Sequence, residues 1–127
     1  MIGVFKIPQG ASMSTLKYAS KQQMSHWRQH LHQHPETGFE VHDTAAFVAQ
    51  KLTEFGLQVH TQIGEIGVVG VLKRGTSDKA IGLRADMDAL AIQELNDFTY
   101  KSQNEGRMHA CGHDGHTAML LGAAQEL

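Results

Sequence analysis

The chain has 127 residues, a length suited to one small domain, with 11 Lys and Arg against 13 Asp and Glu and a formal charge of −2 with histidines neutral. There is no Lys/Arg-rich block and no apolar run near the roughly 20 residues of a membrane span, so neither a nucleic-acid nor a membrane partner is expected. The single cysteine cannot form an internal disulfide, and the opening residues lack a basic n-region and a long apolar core, which makes a reducing, cytoplasmic setting the default.

Residues 1–13 read as a flexible tail, because Pro8-Gln9-Gly10-Ala11-Ser12 interrupts any periodicity; residues 14–127 read as the folded part. From Ser14 to His34, the residues Leu16, Met24, Trp27 and Leu31 fall near helical spacing, with Ser14 as the expected N-cap and Pro35 as the stop. His26, His30 and His34 lie at steps of four on one face of that helix, while His32 points elsewhere. A solvated or partly buried histidine face is expected there rather than a metal site. Glu40 to Phe55 has the cleanest periodicity, with Val41, Ala45, Val48, Leu52 and Phe55 at helical steps and Gly56 as a left-handed terminator. Leu57 to Thr61 alternates as a half-buried strand, Gly67 to Lys73 is apolar on both faces, and Gly75 to Asp78 is a turn. Ala80 to Ala85 is a third strand that delivers Asp86-Met87-Asp88 at its carboxyl end, where open α/β sheets bind ligands. Asp86 and Asp88 share a face if the strand continues and can then reach one site; if the chain turns, they serve separate neighbours or solvent. Residues 89–107 read as a loop.

The stretch Met108 to Thr117 then gathers the only cysteine, Cys111, with His109, His113, His116 and Asp114 around Gly112 and Gly115. On a helix, side chains two residues apart diverge by about 200°, so a shared ion on Cys111 and His113 requires a glycine-containing turn. If a helix starts just after Asp114, its free N–H groups lie near the sulfur and favour the thiolate that binds a divalent metal. A plainer reading stands beside this one: a lone cysteine is more often a small buried hydrophobe, Asp114 caps the helix, and His116 is solvated in its first turn.

Three segments resemble one family. They are Arg28 to Glu40 (RQHLHQHPETGFE), Gly82 to Leu90 (GLRADMDAL) and His109 to Ala124 (HACGHDGHTAMLLGAA). Together, across about residues 20–127, they resemble the N-terminal part of the metal-dependent N-acyl-amino-acid amidohydrolases. That group includes hippurate hydrolases and plant auxin-conjugate hydrolases within the aminoacylase and carboxypeptidase superfamily. The resemblance implies an α/β fold, a partial catalytic domain with helices packed on a mixed sheet whose later strands and lid domain lie beyond Leu127. It implies a metallopeptidase-type hydrolase acting on small N-acyl amino acids with two divalent ions per complete site, drawn from zinc, manganese, cobalt or nickel. Cys111 and His113 match the family's first two metal ligands; Asp88 matches a residue that orients the site, Asp86 is a weaker candidate, and His109 and His116 are neighbours. The general-base glutamate and the remaining ligands are expected beyond Leu127. Ala91 stands where the family usually has proline, which loosens that turn without removing a ligand. On this reading the chain alone is expected to bind metal weakly, to leave amides intact, and to self-associate through apolar faces. Two alternatives stay open: a non-catalytic metal-binding or self-associating module, and a phosphohydrolase using His113-Asp114, which is disfavoured because no second His-Asp set accompanies it.

Overall fold

In the structure, a computed structural model, the described residues are 2–5, as backbone, and 20–127. Helix α1 (Lys21–Gln33) starts where the Ser20 hydroxyl accepts the Gln23 N–H at 3.1 Å. That bond satisfies one of the N–H groups a helix start leaves without an intrahelical partner. The cap is therefore Ser20; Ser14, the expected one, lies outside the described residues. The helix stops before Pro35, whose ring disfavours helical backbone at His34. It buries Trp27, Leu31 and His32.

Helix α2 (His42–Glu54) has no side-chain cap on its own Val41. Instead the Glu36 carboxylate accepts the Asp43 N–H at 3.1 Å and the Thr44 N–H at 2.7 Å, placing a negative charge at the positive end of the helix dipole. At the other end Gly56, at φ 83°, takes the left-handed conformation expected of it, and the Leu57 N–H returns to the Leu52 carbonyl at 3.0 Å. The stripe of Val41, Ala45, Val48 and Leu52 is buried, as its spacing requires.

The strands are β1 (Ile2–Phe5), β2 (Gln58–Ile63), β3 (Gly67–Leu72) and β4 (Ile81–Arg84), in the order β2-β3-β1-β4. The sheet is mixed: β1 runs parallel to β3 and antiparallel to β4, and β2 is antiparallel to β3. Residues 2–5, expected within a tail, thus pair as an inner strand. Ile, Val and Phe are strand formers, and the edges of β3 and β4 offer unpaired backbone groups on both sides. The remainder of the expected tail lies outside the described residues. Along β3, Val68, Gly70 and Leu72 face inward, and a Cβ at Gly70 would lie 2.9 Å from Leu57 Cδ2 and 3.1 Å from Leu52 Cδ1. The absence of a side chain there lets the Leu52 end of α2 lie close to the sheet.

Helix α3 (His113–Glu126) buries Thr117, Ala118, Leu120, Leu121, Gly122 and Ala124 and packs among α1, α2 and the inner face of the sheet. Among the described residues no helix is long and apolar enough to cross a membrane.

Candidate metal centre

The inside-outside alternation of β4 persists beyond its last residue. Ala85, Met87 and Ala89 are buried, whereas Asp86 and Asp88 look the other way. Both aspartates line an open cleft of about 370 Å³ together with Phe39, Val41 and Arg84, yet they have different partners. Asp86 accepts two bonds from Arg84, 3.0 Å from Nε and 2.8 Å from Nη2. Those bonds hold its carboxyl below the usual carboxylate range. Asp88 instead meets His113: Nδ1 of that ring lies 2.8 Å from the Asp88 carbonyl oxygen and 3.1 Å from Oδ1. With two acceptors against Nδ1, the proton belongs on that nitrogen, which leaves the Nε2 lone pair as a donor for a ligand.

The sequence around the Cys111 turn shapes it locally. Gly112 sits at φ 81° and ψ 16°, left-handed backbone that strains any residue with a Cβ, and acts as N-cap of α3. The first helical bond runs from the His116 N–H to the Gly112 carbonyl at 3.1 Å, so the helix opens at His113 rather than after Asp114. Cys111 lies in the turn with a free, exposed thiol, and the His113 side chain is 16 % exposed. His116 is exposed, its ring 5.5 Å from that of His113. His109 is buried beneath the turn, and neither of its ring nitrogens has a partner among the described residues. Burial pushes the His109 imidazole below its ordinary value, although the Asp114 charge opposes this.

Asp114 is neither a simple cap nor a solvated group. Its Oδ1 accepts the Gly115 N–H at 2.8 Å, and its Oδ2 lies 2.8 Å from His32 Nδ1 and 3.6 Å from Arg28 Nη1. On the far side of the same imidazole, His32 Nε2 is 3.1 Å from Glu94 Oε1. Glu94 also accepts the Asn96 amide at 2.9 Å and the Ser102 N–H at 2.5 Å. Burial alone raises the Glu94 carboxyl, but the bonds from Asn96, Ser102 and His32 outweigh it and hold the group below its ordinary value.

The sign of the resulting pH effect follows from that lowered value. A carboxyl lowered in the folded state contributes stability that is present in full above its unfolded value and is lost as the pH falls through the folded one. Between about pH 5 and pH 3 the protein is therefore expected to lose stability more steeply than a Glu94→Gln variant. Urea midpoints for the two proteins across that range check this; parallel profiles would contradict it.

His32 and Glu94 are the residues the sequence left unassigned. The only sign of His32 was its phase, out of step with His26, His30 and His34; Glu94 sits in an irregular loop with no pattern to mark it.

As a test of fit, a borderline-soft divalent ion suits a thiol and an imidazole such as those of Cys111 and His113, and His109, two residues before Cys111, is buried with both ring nitrogens unpartnered among the described residues. Among the described residues, however, no group of three or more His, Cys, Asp and Glu side chains converges on one point. Two protein donors make part of a site, since catalytic ions usually have three and an open position.

Residues 82–127 match the family described as peptidase family M20/M25/M40. The chain is 61% identical over 100 residues to a hippurate hydrolase of Campylobacter jejuni, covering 79% of this chain and 26% of that protein. It is 50% identical over 99 residues to an N-acyl-L-amino acid amidohydrolase of Geobacillus stearothermophilus, covering 78% of this chain and 27% of the relative. The chain thus spans about a quarter of the length of these relatives. Among solved structures it is similar to the YxeP protein of Bacillus subtilis, described as a dinuclear metal-binding peptidase of the M20 family. That similarity has a TM-score of 0.73 and 34% identity, covering 82% of this chain and 29% of the other.

Proposed function

We infer that this chain, whose sequence and fold are those of the N-terminal region of peptidase family M20/M25/M40, supplies part of the metal centre of a hydrolase that cleaves the amide bond of N-acyl amino acids. The observation that carries this reading is the His113 ring. Its Nδ1 is committed to Asp88, its Nε2 is left over, and the exposed Cys111 thiol lies two residues away across a left-handed glycine. Cys111 and His113 would hold the ion, and Asp88 fixes the tautomer and orientation of the ring behind it. A divalent ion held there supplies Lewis acidity toward an amide carbonyl. A thiolate with an imidazole suits zinc, and manganese, cobalt and nickel are compatible, with two ions per complete site. His109 and His116 border the same turn, while Asp86, paired with Arg84, is the weakest of the candidate groups. A reducing, cytoplasmic setting accords with the free, exposed thiol.

With two donors from the described residues, the chain alone is expected to bind metal weakly and to leave N-acyl amino acids intact. The function is tested in a chimera in which this chain replaces the matching region of the Campylobacter jejuni hippurate hydrolase. The chimera should hydrolyse N-acyl amino acids, and Cys111→Ala within it should abolish that activity. A folded chimera that is inactive, or one indifferent to Cys111→Ala, would remove the reading. A second reading, a self-associating module, draws on the exposed apolar side chains of Phe39, Leu95 and Met119. Self-association, which the first reading also expects of the chain alone, predicts that the purified chain sediments as a dimer or larger species; a stable monomer would count against it.

A further inference from the structure

Beyond the turn itself, the feature of this fold that most needs a physical account is the set of three ionisable side chains buried against the start of α3. The side chains of His32, Asp114 and Glu94 are 7%, 3% and 1% exposed. Both nitrogens of the His32 ring face carboxylate oxygens, at 2.8 Å for Asp114 and 3.1 Å for Glu94, and only the doubly protonated ring donates from both. Phe98 and Tyr100, stacked on each other at 4.3 Å, border the ring, and the Arg28 guanidinium lies 5.1 Å from the centre of Tyr100.

Burying such a group of charges carries a desolvation penalty, and apolar residues of similar volume often serve stability equally well. What apolar residues cannot do is fix one directional arrangement. This network joins three parts of the chain that are distant in sequence: α1 through His32, the 89–107 loop through Glu94, and the first turn of α3 through Asp114. Asp114 directly follows His113, and its other oxygen holds the Gly115 N–H. The backbone that carries His113 is thereby fixed from the α1 side, while the His113 ring is fixed from the β4 side by Asp88.

The geometry points to His32 as a positioning residue for the Cys111–His113 ligand pair, acting through Asp114, with Glu94 holding the opposite nitrogen so that the imidazole cannot turn away. The inference rests on Cys111 and His113 being metal ligands. It assigns the two sides of the ring different tasks: the Asp114 side sets the ligand turn, and the Glu94 side anchors the loop.

The two sides can be separated by substitution, because an asparagine amide nitrogen falls near the place of Nδ1 and a glutamine amide nitrogen near that of Nε2. His32→Asn keeps a donor for Asp114 only, and His32→Gln keeps one for Glu94 only. Zinc titration calorimetry on the unmodified protein, both variants and Cys111→Ala reads the effect on the site, and urea unfolding without metal reads the effect on stability. His32→Asn is expected to keep zinc affinity within about threefold and His32→Gln to lose about tenfold, while both lose stability. Equal losses of affinity in the two variants, or none in either, would overturn the positioning role. If His32→Gln does not fold, Asp114→Asn is read in its place, with the same tenfold loss expected and an unchanged affinity overturning the inference. Zinc binding that Cys111→Ala leaves intact sinks the ligand assignment itself, a result distinct from a failed Asn/Gln split.

Discussion

Asp114→Ala is expected to lower the free energy of unfolding by about 3–5 kcal/mol, the usual cost of removing one partner from a buried ion pair. The size follows from what remains. The His32 ring, 7% exposed, would keep Glu94 on Nε2 but face no acceptor on Nδ1, and the Gly115 N–H would lose its bond from Oδ1. The neighbouring Arg28 guanidinium, 37% exposed and 3.6 Å from Asp114 Oδ2, is solvated and adds little. Against a total stability of about 5–15 kcal/mol for a domain of this kind, the loss is a large fraction. Urea denaturation followed by circular dichroism measures it. A change below about 1 kcal/mol would mean that the network is not the buried ionic set described.

Asp88→Ala is expected to act on the site and hardly on the fold. The Asp88 side chain is 40% exposed, so its removal should alter stability by no more than about 0.5 kcal/mol. Outer-shell partners of metal-bound histidines typically contribute about 10-fold to 100-fold in affinity. The Asp88 carbonyl, 2.8 Å from His113 Nδ1, survives the substitution and still holds the ring tautomer, which places the expected loss of zinc affinity near the lower end. Calorimetric titration checks this, and an unchanged affinity with unchanged stability would detach Asp88 from the site.

These two residues show unequally in the sequence. The place of Asp88 after a strand was legible, but its spacing left open whether the strand continued or the chain turned, and a role at the site came only from the family resemblance; in the fold the alternation that buries Met87 turns Asp88 toward the cleft. The periodic apolar stripe of α2, its Gly56 terminator and the apolar run of β3 were legible, since each is set by spacing within a single element. The Cys111 turn stood out through the residue types packed into it and through the family resemblance of the surrounding segments, and its role as a metal-binding turn is a proposal. Asp114 was visible as a residue, but its role was not. Its partner His32 lies 82 residues away, and Glu94 lies 62 residues from His32, so the network exists only once α1, the loop and α3 have docked. Glu36 escaped notice as the cap of α2 because it reaches forward across a bend to N–H groups seven and eight residues on. The pairing of Ile2–Phe5 between β3 and β4 is a long-range choice in the same way: its strand-forming residues permit it, and two waiting edges settle it.

The proposed function requires Cys111 and His113 to be the protein's donors to a divalent ion. Cobalt(II) titration monitored by absorption tests it most directly, because a thiolate bound to cobalt gives a near-ultraviolet charge-transfer band that imidazole and carboxylate ligands do not. The unmodified protein should develop that band as cobalt is added, and His113→Ala should weaken it. In Cys111→Ala the band should be absent. An identical spectrum and affinity in Cys111→Ala, or cobalt binding by the unmodified protein without the band, would contradict the claim.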